Sequence, residues 1–287
     1  MPSPSQVADF RARGFHFPVR VMTEDEAGAL AERIIAFDQG PVAARYADVA
    51  NSLYRFKTYL VFEWADTLVH HPRILDAAEA VIGPDLLVWS VGMFLKKPRS
   101  PGFVSWHQDA TYYGLDDADK VVNVWVALTP ATLANGAMRF APGSHRLGQV
   151  PHRETYDRDN LISRGEVADV AIDEGAAVDV LLGAGEASLH HLYLLHSSAP
   201  NRSDDHRVGI VIRFIRPDVK PLSGRDCAML VRGEDRFGHF ELEPRLRREM
   251  DADAMAAHAR AMAIRDGNTG HRPSADRAAS AMGAGPA

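Results

Sequence analysis

Across residues 86–215 the chain is written in short apolar runs, each closed by turn residues, and this habit constrains the fold more than any other feature. Strands are predicted over 86–89 and 93–97, then over the stretch carrying His107, and again over 121–128, 138–140, 176–182, 186–195 and 207–215. Asn135-Gly136 marks a tight turn between two of them. The product is a strand-built domain. Helices flank it. Phe10, Gly14, Phe15, Phe17 and Val19 suggest a short helix feeding an edge strand. Thr23 with Glu26 has capping-box spacing, and Ala27, Leu30, Ile34 and Ile35 follow at helical intervals. Pro72 opens a second helix whose stripe of Ile74, Leu75, Ala78 and Val81 stops at Gly83-Pro84. Leu246, Met250, Met255, Ala256 and Met262 predict a C-terminal helix, and 217–244 reads as irregular.

At 287 residues one β-rich domain with appended helices is the economical reading, over 1–266. Residues 267–287, rich in Gly, Ala, Ser and Arg, are expected to form a disordered tail. The single cysteine, Cys227, excludes an internal disulfide and any multi-cysteine metal site. No window is a long apolar run, so no membrane helix is expected. The opening residues have neither a basic start nor an apolar core, which points to a cytoplasmic protein. A net charge of −6 and a pI near 6.1 argue against nucleic acid as partner and leave a small molecule. Oligomeric state is left open.

The chemistry is concentrated in two stretches. In Ser105-Trp106-His107-Gln108-Asp109 an extended backbone sends His107 and Asp109 to one face and Gln108 to the other. Two such ligands completed by a distant His form the facial triad that holds non-haem Fe(II) with three positions open. An isolated His-x-Asp is a weak signal, and the second stretch strengthens it. His196-Ser197-Ser198-Ala199-Pro200-Asn201 is followed by Arg207, whose planar guanidinium suits a carboxylate. His190, His191 and His206 lie near enough in sequence to compete with His196 as third ligand. Arg213 shares strand parity with Arg207 and is expected to point inward, where a substrate acid group or a structural carboxylate would partner it. Lys57, Lys96 and Lys97 are further candidates for anion contacts, and 232–239 for a segment closing over the site.

With the Phe10-x-x-x-Gly14-Phe15 opening, Asn135-Gly136-Ala137-Met138 and Pro142-Gly143-Ser144-His145, these motifs stand in an order that resembles the phytanoyl-CoA dioxygenase family of Fe(II)- and 2-oxoglutarate-dependent oxygenases. The resemblance runs from Phe10 to His239. It implies a double-stranded β-helix, a cupin-like jelly roll, with His107, Asp109 and His196 as iron ligands. It implies Arg207 and Ser198 as the grip on the distal carboxylate of 2-oxoglutarate, and Trp125 beside them. Halogenating relatives replace the carboxylate ligand with a small residue; Asp109 is kept here, so hydroxylation or another oxidation with O2 is expected, releasing succinate and CO2. Arg213 and Lys97 are the expected substrate contacts, with specificity in loops at 40–58, 111–120, 146–170 and 218–240. The substrate is expected to be a free small molecule, an amino-acid derivative or specialised metabolite carrying an acidic group. Two competing readings are a non-redox metalloenzyme on the same barrel and a non-catalytic small-molecule binding module.

Overall fold

The computed structural model describes residues 2–40, 56–112, 114–162, 164–222 and 224–269. Its strands are β1 (Phe15–Arg20), β2 (Leu86–Lys96), β3 (Val104–His107), β4 (Val121–Ala127), β5 (Met138–Phe140), β6 (His152–Arg153), β7 (Val167–Ala168), β8 (Val178–Val180), β9 (Glu186–His191), β10 (His196–Ser198), β11 (Arg207–Ile215), β12 (Cys227–Arg232) and β13 (Glu241–Leu242). Seven form a large sheet in the order β1-β9-β4-β11-β2-β12-β13, and four form a smaller one in the order β3-β10-β5-β8. β6 and β7 pair separately. The two larger sheets are those of the mainly β jelly roll that the sequence predicts.

Strand parity decides which residues meet which layer. On β11 the even positions Val208, Ile210, Ile212 and Phe214 join a core shared with the helices, and so do Val122, Val124 and Val126 of β4. The helix side supplies Ile34, Leu68 and Ile74. Each such fully buried aliphatic or aromatic side chain contributes about 1.5–3 kcal/mol of transfer free energy. The odd positions turn toward the smaller sheet. There Phe15, Trp125 and Val211 pack against Met138, Phe140 and Val180. A one-residue slip of β11 would exchange these faces, so burial of both pins its register.

Both helix starts were legible. Glu24–Gln39 begins with a complete Thr23/Glu26 capping box, and Pro72–Ile82 begins with Pro at its first turn. A capping box at Ser3 and Gln6 also starts the helix Pro4–Arg13, which runs through Gly14 into edge strand β1. Three expectations are corrected. The predicted strands at 86–89 and 93–97 are one continuous strand, because Ser90 and Gly92 are cross-strand partners of Arg213 and Val211 and do not break the ladder. The irregular stretch before Pro244 contains β12, bonded to β2. The strand from Glu186 ends at His191, not at Leu195.

Ala252–Thr269 is the C-terminal helix, so the first residues of the expected tail are helical; 270–287 lie outside the described residues, as does most of the loop at 40–58. Among the described residues no helix is long and apolar enough to cross a membrane. Cys227 is buried in the helix-side core.

Candidate active site

β3 ends at His107, and Asp109 opens a short 3-10 turn over Asp109–Tyr112. The pair therefore lies at a strand end and not within an extended run. His196, on β10, is the direct antiparallel partner of His107, and the two rings sit 4.2 Å apart between centroids. One ligand atom from each of His107, Asp109 and His196 falls within 4.8 Å of the others, and all three residues are buried. His107 Nε2 is 3.6 Å from Asp109 Oδ1.

Hydrogen bonding around the three prepares them for a metal. His107 Nδ1 lies 2.9 Å from the Ser105 carbonyl and 3.1 Å from that of His196, and His196 Nδ1 lies 3.0 Å from the carbonyl of Leu194. A carbonyl only accepts, so each Nδ1 carries the proton and each Nε2 keeps its lone pair for a cation. Asn123 donates from Nδ2 to Asp109 Oδ2 at 2.7 Å. Burial would raise the Asp109 pKa, but the side chains of His107 and His190 and the charge of Arg213 outweigh it and hold the carboxylate well below its ordinary range. Burial, with His107 alongside, brings His196 down to about 3, so it stays neutral. Two imidazoles that each keep an Nε2 lone pair, beside an ionised carboxylate and all buried, fit Fe(II).

The same cavity extends to Ser198, Trp125 and Arg207. Arg207, 2% exposed, donates from Nη1 to the Gly136 carbonyl, lies 5.1 Å from the Trp125 ring centroid, and leaves Nε without a hydrogen-bond partner. Burial lowers its pKa to about 10. No described carboxylate pairs with it, and an unanswered buried guanidinium suits the distal carboxylate of 2-oxoglutarate. Gly209 makes room for Trp125: a Cβ there would lie 2.0 Å from the indole.

Arg213 also lines the cavity, on the Asp109 side. Ser90, Arg213, Asn123 and His190 are successive cross-strand partners on β2, β11, β4 and β9, forming one polar row on a single sheet face. Ser90 Oγ, Asn123 Oδ1 and both His190 nitrogens are buried without hydrogen-bond partners. His190 Nε2 stands 3.7 Å from Asp109 Oδ2. Sequence reasoning gave no role to Asn123; its signal is a lone amide in a Val-rich strand, at the parity of Trp125.

Other candidates lie elsewhere. Lys97 is not brought to the cavity: it is 60% exposed and ion-paired with Asp38 at 2.9 Å. Lys57 is buried against Glu243 at 2.9 Å and donates to the Cys227 carbonyl, tying the chain after β13 to the large sheet. His191 faces Asp119 at 3.0 Å, and His206 lies in the loop before β11. The segment at 232–239 does not cover the site, because Arg232 is held by Asp76 and Glu79 of the second helix and Glu234 N–H donates to Asp85. Instead the excursion at 152–166 reaches β3: Asn160 Nδ2 donates to Ser105 Oγ, and His152 Nε2 accepts from the Gln108 N–H. The Gln108 side chain, pointing away from the ligands as predicted, clamps Gly148, Val150 and Tyr193.

Residues 10–209 match the family described as Phytanoyl-CoA dioxygenase (PhyH). The chain is 32% identical over 169 residues to a probable alpha-ketoglutarate-dependent hypophosphite dioxygenase of Stutzerimonas stutzeri, covering 58% of each. It is 30% identical over 166 residues to L-proline trans-4-hydroxylase of Streptomyces griseoviridis, covering 52% of this chain and 62% of that one. The chain spans about half the length of the curated relatives it matches. Among solved structures the non-heme monooxygenase ThoJ, in its apo form, is 42% identical, with a TM-score of 0.80 over 92% of this chain and 97% of that chain.

Proposed function

Because the chain belongs to the phytanoyl-CoA dioxygenase family, we propose that it is an Fe(II)- and 2-oxoglutarate-dependent dioxygenase that hydroxylates an unactivated carbon of a small molecule. The observation that supports this best is one cavity holding both halves of the machinery. His107, Asp109 and His196 line it together with Arg207, which has no described acidic partner.

His107, Asp109 and His196 would hold the iron. When bound, the iron supplies activation of O2, coupled to decarboxylation of 2-oxoglutarate to succinate and CO2. The Nδ1 contacts to backbone carbonyls keep both imidazoles turned and in the tautomer that ligates. Asn123 keeps the Asp109 carboxylate from rotating. Arg207 and Ser198 bind the far carboxylate of the co-substrate, and Trp125 shuts water out beside them. Burial strengthens every one of these contacts.

The substrate is read as a small polar molecule with an acidic group, an amino-acid derivative or specialised metabolite. Arg213 would meet that group, and the unpartnered atoms of His190 and Asn123 would meet further polar atoms. The proline-hydroxylating relative accords with such a class. Asp109 fills the third ligand position, which favours hydroxylation over halogenation.

Anaerobic addition of Fe(II) and then 2-oxoglutarate should give a weak visible charge-transfer band. No band with either order of addition would favour the non-redox or binding-only readings. Succinate formation, screened by mass spectrometry over N-acylated and free amino acids, terpenoid acids and acyl-CoAs, would identify the substrate. Turnover confined to neutral compounds would defeat the acidic-group assignment.

A further inference from the structure

Lys96 and Arg207 are directly opposite one another on β2 and β11, so their side chains leave the same face of the large sheet. Both are almost completely buried, at 1% and 2% exposure. Like charges directly opposite destabilise a sheet. Here the repulsion is also uncompensated: among the described residues no carboxylate is set against either cation. Lys96 Nζ reaches Ser198 Oγ at 2.8 Å and also the Ala199 carbonyl, and the Asn201 side chain binds its backbone carbonyl. These neutral acceptors hold the ammonium, but no described anion answers the two cations together. A buried like-charge pair beside a cavity is the signature of an anion site.

The contact with Ser198 carries a second implication. An ammonium only donates, so a charged Lys96 makes Ser198 Oγ its acceptor. The hydroxyl proton of Ser198 is then left to point at something else, and Ser198 lines the cavity alongside Arg207. We propose that Lys96 is a positioning and specificity-determining residue of the co-substrate pocket, setting Ser198 as a hydrogen-bond donor to the distal carboxylate of 2-oxoglutarate and placing a second positive charge behind it. This rests on the co-substrate reading given above.

Burial and the neighbouring Arg207 lower the Lys96 pKa to about 6. Arg207 on β11 is the charged group facing it; Ser198 and the Ala199 carbonyl face it from the end of β10. An arriving carboxylate offsets Arg207 and draws a proton onto Lys96 from the buffer. Affinity for 2-oxoglutarate therefore weakens as pH rises above about 6, and this dependence requires Lys96.

The test is calorimetric binding to the Ni(II)-loaded protein, which does not turn over. The ligands are 2-oxoglutarate and 2-oxopentanoate, the same five-carbon keto acid without the distal carboxylate. Lys96→Met should lose roughly tenfold in affinity for 2-oxoglutarate and keep its affinity for 2-oxopentanoate, as expected for one charge-assisted contact. Adding Ser198→Ala to that variant should cost little more, since the two residues act as one unit. Lys96→Gln keeps a donor toward Ser198 without the charge and should lose the pH dependence; it carries the test if the Met variant does not fold. Equal losses for both keto acids, or an unchanged affinity for 2-oxoglutarate, would overturn the proposal. A wild-type protein that binds 2-oxopentanoate as well as 2-oxoglutarate would overturn the co-substrate reading beneath it as well.

Discussion

Asn123 Nδ2 and Asp109 Oδ2 are 2.7 Å apart, a bond between a strand in the middle of the large sheet and a turn at the rim of the small one. It fixes the only anionic member of the triad from behind. Asn123→Ala should lower metal affinity about 10- to 100-fold, the usual cost of losing an outer hydrogen bond to a ligand. Competition titration with a chromophoric chelator checks it.

His107→Ala and His196→Ala should each abolish turnover, by more than the roughly 100-fold loss at the top of the outer-shell range. Both side chains face the cavity and leave the helix-side core intact. Circular dichroism should therefore match wild type. Global unfolding of both variants would indicate a structural role instead.

Arg207→Ala should weaken 2-oxoglutarate binding by about 1.5–3 kcal/mol, the worth of a hydrogen bond to a charged group. Substrate affinity should change less. An unaltered co-substrate affinity would move the assignment to Arg213.

Stability should respond to pH through Lys96, and the sign follows from proton counts. Above about 6 the folded site has given up the Lys96 proton, whereas an unfolded chain keeps it until about the ordinary value of 10.5. Unfolding in that interval takes up a proton, so the contribution of Lys96 to stability rises with pH across it. In metal-free protein without co-substrate, urea denaturation should show wild type gaining on Lys96→Met between about pH 6 and pH 10. A flat difference would mean that Lys96 keeps its proton in the fold.

Gly209→Ala should destabilise the fold by about 1–3 kcal/mol, the range for overpacking, because its Cβ would strike the Trp125 indole. The Trp125 ring lies beside Arg207, so displacing it should lower affinity for 2-oxoglutarate together with stability. Denaturation and calorimetry on one preparation test both.

Much of this was readable from local pattern. Capping residues at Thr23 and Glu26, Pro72 at a helix start and the Val-rich run of β4 each carry their conformation within a few residues. What escaped depended on pairing across the chain. Four histidines competed for one role and alternation could not choose; motif order favoured His196, but its position directly opposite His107 was not legible. Ser90 and Gly92 looked like a break because cavity-facing positions of a strand need not be apolar. Lys97 outranked Lys96 among the substrate contacts because neither parity nor spacing reports that β2 presents Lys96 to Arg207 and sends its neighbour to the surface.

β11 carries Arg207 and is hydrogen-bonded on both sides, by β4 and β2, while β3, which carries His107, is the outer strand of its sheet. Arg207 and His107, which line the same cavity, therefore belong to regions that come apart at different free energies. Amide protons of β11 should exchange with solvent only through global unfolding, and those around 104–109 through smaller openings at the sheet edge. The strand that carries Arg207 is thus a fixed floor. The edge strand that carries His107 is where the protein can breathe, and where slow loss and reloading of a metal ion would begin.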